Sequence, residues 1–198
     1  RQMCIRDRED IVRDVRGGII HNYPLVKIGT QYWMRDNLEA SSYVGGEALP
    51  RLDAVTANVV GYLQSATEHY FYTANVVLSN KILPAHWSIP DWKDWNILKD
   101  YLNGEASLLK SGTWLPLKAG EQVQSATNLS GFNGIPVGMY VGAFQTDYEK
   151  KHLAYWTLDN ANAAIDIKVF YLKSDTDIIE ESNAGVDTKA FAIRCIRK

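Results

Sequence analysis

Cysteine is scarce in this chain: its 198 residues hold two, Cys4 and Cys195, so every argument about disulfides or thiol chemistry turns on that pair. Charge of one sign is scarce too. Lys and Arg number 21 against 23 Asp and Glu, a formal net charge of -2 with no basic stripe, and nucleic-acid binding, which rests on phosphate neutralisation, has no support. No apolar run approaches the length that spans a bilayer, so no transmembrane segment is expected. Catalytic signatures are missing as well: no HExxH, no GxSxG elbow, no phosphate-cradling loop ending in Lys-Ser/Thr and no dinucleotide fingerprint. The four histidines, His21, His69, His86 and His152, are scattered, whereas zinc sites need denser ligands.

Aromatic residues are plentiful. Six Trp and eleven Tyr fit the loop-rich composition common in extracellular recognition domains. Length suits one domain with a real core. The opening RQMCIRDR can be written in codons as AGA CAG ATG TGT ATA AGA GAC AGx, the end of a transposase sequencing adapter. Residues 1–8 therefore read as a non-native, loose tail, with a basic N-terminal arm as the alternative, and residues 9–198 as a single domain. On that reading Cys4 drops out, Cys195 stands alone, and the lack of a visible signal peptide says nothing about secretion.

Local patterns predict a mixture of strands and helices. Gly17 and Gly18 mark a turn, and Val26 and Ile28 alternate with Lys27 as in a half-buried strand. The small-residue stretch 41–64 reads as a loop holding a short helix over 54–63. In IPDWKDWNILKDYLNG, Asp91 is a helix N-cap, Asp94 completes a capping box and Gly104 stops the helix. Trp92, Trp95, Leu98 and Leu102 then share one face as core anchors. Between 110 and 142, eight glycine or proline residues predict long irregular loops. Strand signals return in HLAYWTL, in AIDIKVFYLK and in KAFAIRCIR, where Phe191, Ile193 and Cys195 face opposite to Ala192, Arg194 and Ile196.

Taken in order, VKIGTQYWMRDNL, LPAHWSIPDWKDWNILKDYLNG, SATNLSGFNGIPVG, the tryptophan-bearing strand and FAIRCIRK resemble the FISUMP or major paralogous domain of Fibrobacter- and Bacteroidetes-type surface proteins. The resemblance covers 15–197. Its signature positions here are Trp33, Asn37, Trp87, Pro90, Trp92, Trp95, Phe132, Trp156 and Cys195. It implies an α+β, C-type lectin-like architecture, also similar to formylglycine-generating enzymes, with a small twisted antiparallel sheet, one or two helices and long loops. Where the family pattern has the cysteine of its CPxGW stretch, this chain has Leu83, and where it has glycine, His86. The bridge the resemblance implies to Cys195 cannot form. Cys195 is expected as a buried free thiol, and the missing staple would cost about 2–4 kcal/mol, partly offset by burying leucine.

The resemblance further implies a non-catalytic recognition or adhesion module, secreted or displayed at the cell surface as a lipoprotein, with a glycan or a surface protein as partner. Two alternatives stand beside it: a structural or tip subunit of a surface fibre, and an enzyme related to formylglycine-generating enzymes. A lone buried thiol counts against the enzyme. No cofactor is expected. Calcium is conceivable at Asp175, Asp177, Glu180 and Glu181, although these also read as a solvated hairpin, and the Glu-Pro-Asn type of sugar-binding loop is missing. Candidate ligand contacts are Tyr140, Phe144, Asp147, Tyr148, Asp159, Asn160 and Asn162, because aromatic faces with Asp and Asn edges recognise sugar rings and hydroxyls.

Overall fold

A computed structural model describes residues 11–144, 148–158, 167–184 and 187–198; the expected tail, 1–8, lies outside them. Among the described residues the fold is predominantly β, with thirteen strands in three sheets and two α-helices. This corrects the α+β, C-type lectin-like expectation. One well-capped helix and a family likeness suggested a small sheet under long loops. Instead, much of the chain between the strong motifs pairs as short strands, whose two or three residues are too few to show an alternation in sequence.

The first sheet has the order β1-β2-β3-β13-β6, built from β1 (Ile11–Arg16), β2 (Ile19–Ile28), β3 (Gln31–Met34), β6 (Trp87–Ser88) and β13 (Ile196–Arg197). The second is β4-β5-β12-β7-β8, from β4 (Tyr62–Gln64), β5 (Tyr70–Thr73), β7 (Tyr140–Val141), β8 (Ala143–Phe144) and β12 (Lys189–Phe191). The third, β11-β10-β9, comprises β9 (His152–Thr157), β10 (Ile167–Lys173) and β11 (Glu180–Ala184). All named pairings are antiparallel.

Helix α1 (Ala74–Ser79) follows β5, and α2 (Trp92–Tyr101) follows β6. Both bonds of the α2 capping box are made: Asp94 N–H donates to Asp91 Oδ1 at 3.0 Å, and Asp91 N–H donates to Asp94 Oδ2 at 2.8 Å. The short helix expected over 54–63 is absent; turns lead instead into β4. Close packing explains the difference. A Cβ on Gly61 would stand 2.5 Å from the Pro50 carbonyl oxygen, so the chain crosses itself where only glycine fits.

Two apolar clusters fill the interior. One gathers Trp87, Trp156, Phe191, Ile193 and Cys195, and the other Trp33, Trp95, Phe132, Tyr155 and Phe170. Within the second, Trp95 stacks on Phe170 at 4.0 Å and lies 4.9 Å from Trp33. The last segment divides its faces between them: Phe191, Ile193 and Cys195 enter the first cluster, Ala190, Ala192 and Ile196 the second. It is broken, however, into β12 and β13, which belong to different sheets. Between them Ala192 bridges the third sheet, accepting from Trp156 N–H at 3.1 Å and donating to the Ala154 carbonyl at 3.2 Å. The C-terminal strand therefore ties all three sheets together.

Candidate functional site

The site is built outward from one buried cation. Arg194, on the face opposite Cys195, is only 1% exposed. Its guanidinium donates twice to Asn37 Oδ1 (3.2 and 2.7 Å), once to the Tyr155 hydroxyl (2.9 Å), and to the carbonyls of Met34 (3.0 Å), Arg35 and Phe132 (each 2.5 Å). A longer bond reaches the Asn133 carbonyl at 3.4 Å. The cation also lies over the Phe132 ring at 4.4 Å and the Tyr155 ring at 5.3 Å from their centroids. Neutral dipoles and two aromatic faces thus replace the water this charge gave up. Burial pushes the Tyr155 hydroxyl up to about 12, although Arg194 beside it acts in the opposite direction.

These partners come from the end of β3, the turn at Phe132 and β9, so one side chain holds three remote segments in register. The Asn128–Asn133 turn is further closed by Asn133 N–H donating to Asn128 Oδ1 at 2.8 Å. Above this floor lies an open cleft of about 90 Å³. Asp36, Glu39, His69 and Asn133 supply its polar walls, Ile135 and Val137 an apolar one, and Asn37 and Arg194 its base. Asn133 Nδ2 donates to Asp36 Oδ1 at 3.1 Å, fixing both groups. Burial raises the Glu39 carboxyl above its ordinary range, with Asp36 and Glu68 adding to the rise and His21 opposing it. Burial likewise lowers His69, against the pull of Glu149. The cleft can offer carboxylate acceptors, an amide and an aliphatic wall. Such groups can recognise hydroxyls or amines.

Of the anticipated contact residues, Tyr140, Phe144 and Tyr148 fall among those the structure describes. Tyr140 is buried at 3% exposure, its hydroxyl donating to the Gly142 carbonyl at 3.1 Å and accepting from Val55 N–H at 3.4 Å. It is a core residue, not a surface one. Tyr148 is half-buried, its ring edge against His152 at 4.8 Å. The Phe144 backbone pairs with Tyr140 in β8. Asp147, Asp159, Asn160 and Asn162 lie outside the described residues. Glu39 and His69 left no signal in sequence, being brought to the cleft by folding alone. Asp36 and Asn133 sit inside the quoted RDNL and SGFNG stretches.

The signature residues are structural in placement. Trp33, Trp95, Phe132, Trp156 and Cys195 are each 1% exposed or less and Trp87 is 9% exposed; the Trp156 indole donates to the Tyr72 carbonyl at 2.7 Å. Asn37 receives Arg194, the buried Pro90 accepts from Leu158 N–H at 3.0 Å, and the half-buried Trp92 carries Lys168 over its ring at 4.4 Å. Leu83 shares the apolar cluster of Cys195, which is free and whose thiol burial pushes up to about 12.

Three of the four carboxylates considered for calcium are engaged separately. Asp177 accepts from the Ser107 N–H and, at 3.1 Å, from its hydroxyl; Glu180 pairs with Lys173, and Glu181 lies 4.0 Å from Lys99. Among the described residues no group of three or more His, Cys, Asp or Glu is arranged to hold a metal ion. No helix among them is long and apolar enough to cross a membrane.

No curated protein and no solved structure matches the chain. A family model, the Fibrobacter succinogenes major domain, matches residues 26–197, a span that includes Asn37, Phe132, Tyr155 and Arg194. The chain belongs to the Fibrobacter succinogenes major domain family.

Proposed function

We propose that this domain is a non-catalytic recognition or adhesion module, working outside the cell or on its surface, that takes a glycan or a partner protein at the cleft over Arg194. The observation that carries the reading is the cleft itself. Part of its polar lining is set in advance: Arg194 fixes Asn37 and the Asn133 backbone, and Asn133 in turn holds Asp36, which is how binding sites keep their shape before a ligand arrives. Chemistry of the formylglycine-generating kind calls for a reactive thiolate, and the Cys195 thiol is fully buried and pushed up to about 12.

A glycan array probed with the full chain, with and without calcium, tests the reading. Binding to a restricted set of glycans is expected. Asp36→Asn or Asn133→Ala should abolish it without lowering the melting temperature by more than a few degrees. Binding that survives both variants would move recognition away from the cleft.

A second reading, a subunit of a surface fibre, draws on β1. This strand stands at the edge of the first sheet, and Ile11 and Val15 on it are 55% and 51% exposed. Exposed apolar edges accept added strands. Concentration-dependent oligomers that Val15→Lys disperses would favour it.

A further inference from the structure

The exposed face of α2 carries an aromatic ring in an unusual setting. Tyr101 is 61% exposed, yet its ring is not loose. A Cβ built on Gly29, in the turn between β2 and β3, would stand 2.9 Å from Cδ2, 3.1 Å from Cγ and 3.3 Å from Cε2. Three consecutive ring carbons at nearly equal distance place that point above the ring's face. An approach in the ring plane would leave the two flanking carbons much farther away than the middle one. One face of Tyr101 therefore rests on the Gly29 backbone, and the opposite face looks to solvent. Gly29 has φ +60, so the turn both needs glycine and makes room for the ring.

The support beneath is stiff. Gln31 Nε2 donates to the Asp94 carbonyl at 3.0 Å, a buried bond tying the turn to α2, and Trp95 and Leu98 anchor the helix from below. Ile97, 48% exposed, lies one turn before Tyr101, with Lys93 a further turn back and Asp100 beside it.

We infer that Tyr101 is a stacking platform for a sugar ring, with Ile97 one turn away extending the apolar surface and the exposed charges of Asp100 and, a further turn back, Lys93 flanking the two. The inference rests on the recognition reading above and adds a second binding position to it. A pyranose ring presents a C–H face that packs on an aromatic face, and hydroxyls at its edge that need polar partners. Size decides between occupants. A stable protein interface buries about 800 Å² on each side, whereas two apolar side chains bounded by charge match a single ring.

Native electrophoresis of the full chain in gels holding hydroxyethylcellulose, xylan, mannan or a soluble β-1,3-glucan tests this. At least one polysaccharide should retard the parent protein. Tyr101→Phe should retain the effect, whereas Tyr101→Ala and Tyr101→Leu should weaken it about tenfold, with melting temperatures near the parent's. Retardation unchanged by both Tyr101→Ala and Tyr101→Leu overturns the platform. If Asp36→Asn then removes it, the cleft carries recognition and the broader reading survives. No retardation of the parent in any gel overturns the platform together with the glycan form of that reading.

Discussion

Arg194 shows what a single residue can decide. A lysine in its place would keep the charge but lose the planar fork that meets Asn37 and three carbonyls at once. Both Arg194→Lys and Arg194→Met should therefore destabilise the domain, by about 3–5 kcal/mol, because buried carbonyls lose their donors. Urea unfolding followed by tryptophan fluorescence measures the loss. His152 makes a different prediction. It is 8% exposed with Nδ1 lacking a partner, and burial, with Lys173 and Lys151 adding and Asp175 and Glu180 opposing, lowers its pKa to about 4 from the ordinary 6.5. The unfolded chain thus binds a proton that the folded one refuses. Stability should be whole above about pH 6.5 and fall by roughly 2–3 kcal/mol as pH drops toward 4. His152→Phe should flatten that part of the melting-temperature profile; an unchanged slope would assign the effect to other groups.

At the scale of the element, α2 is the part most legible in sequence. Its N-cap, capping box, apolar stripe and glycine stop are all local, and local signals need no knowledge of the fold. Asp91→Ala should cost about 1 kcal/mol, and Trp95→Ala about 3–5 kcal/mol, since the indole stacks on Phe170. Thermal melts of the two variants should differ accordingly. The turn under Tyr101 gives a sharper case. Gly29→Ala introduces both left-handed strain at φ +60 and a methyl within 2.9 Å of the ring, so destabilisation of about 1–3 kcal/mol is expected. The 54–63 segment could not be read in the same way. Its small and β-branched residues fit helix, loop or strand, and contact with Pro50 selects among them.

The whole molecule depends on its last ten residues, because β12, Ala192 and β13 each join a different sheet. Removing 189–198 should abolish cooperative unfolding rather than shorten the domain, and a two-dimensional amide NMR spectrum that stays dispersed after the deletion would refute this.

By itself the sequence determined the family, the capped helix, the alternating faces of the terminal strand and the solitary status of Cys195 among the signature positions. Each of these is carried by neighbouring residues or by ordered motifs. Only the tertiary structure decided that the fold is β-rich, that Tyr140 is core, and that Asp36, Glu39, His69 and Asn133 share a cleft. Glu39 and His69 are thirty residues apart, and what brings them together is pairing and burial among segments whose own patterns are too short to declare their partners. The same holds for Arg194: its charge is visible in FAIRCIRK, but its burial depends on dipoles gathered from three separate segments.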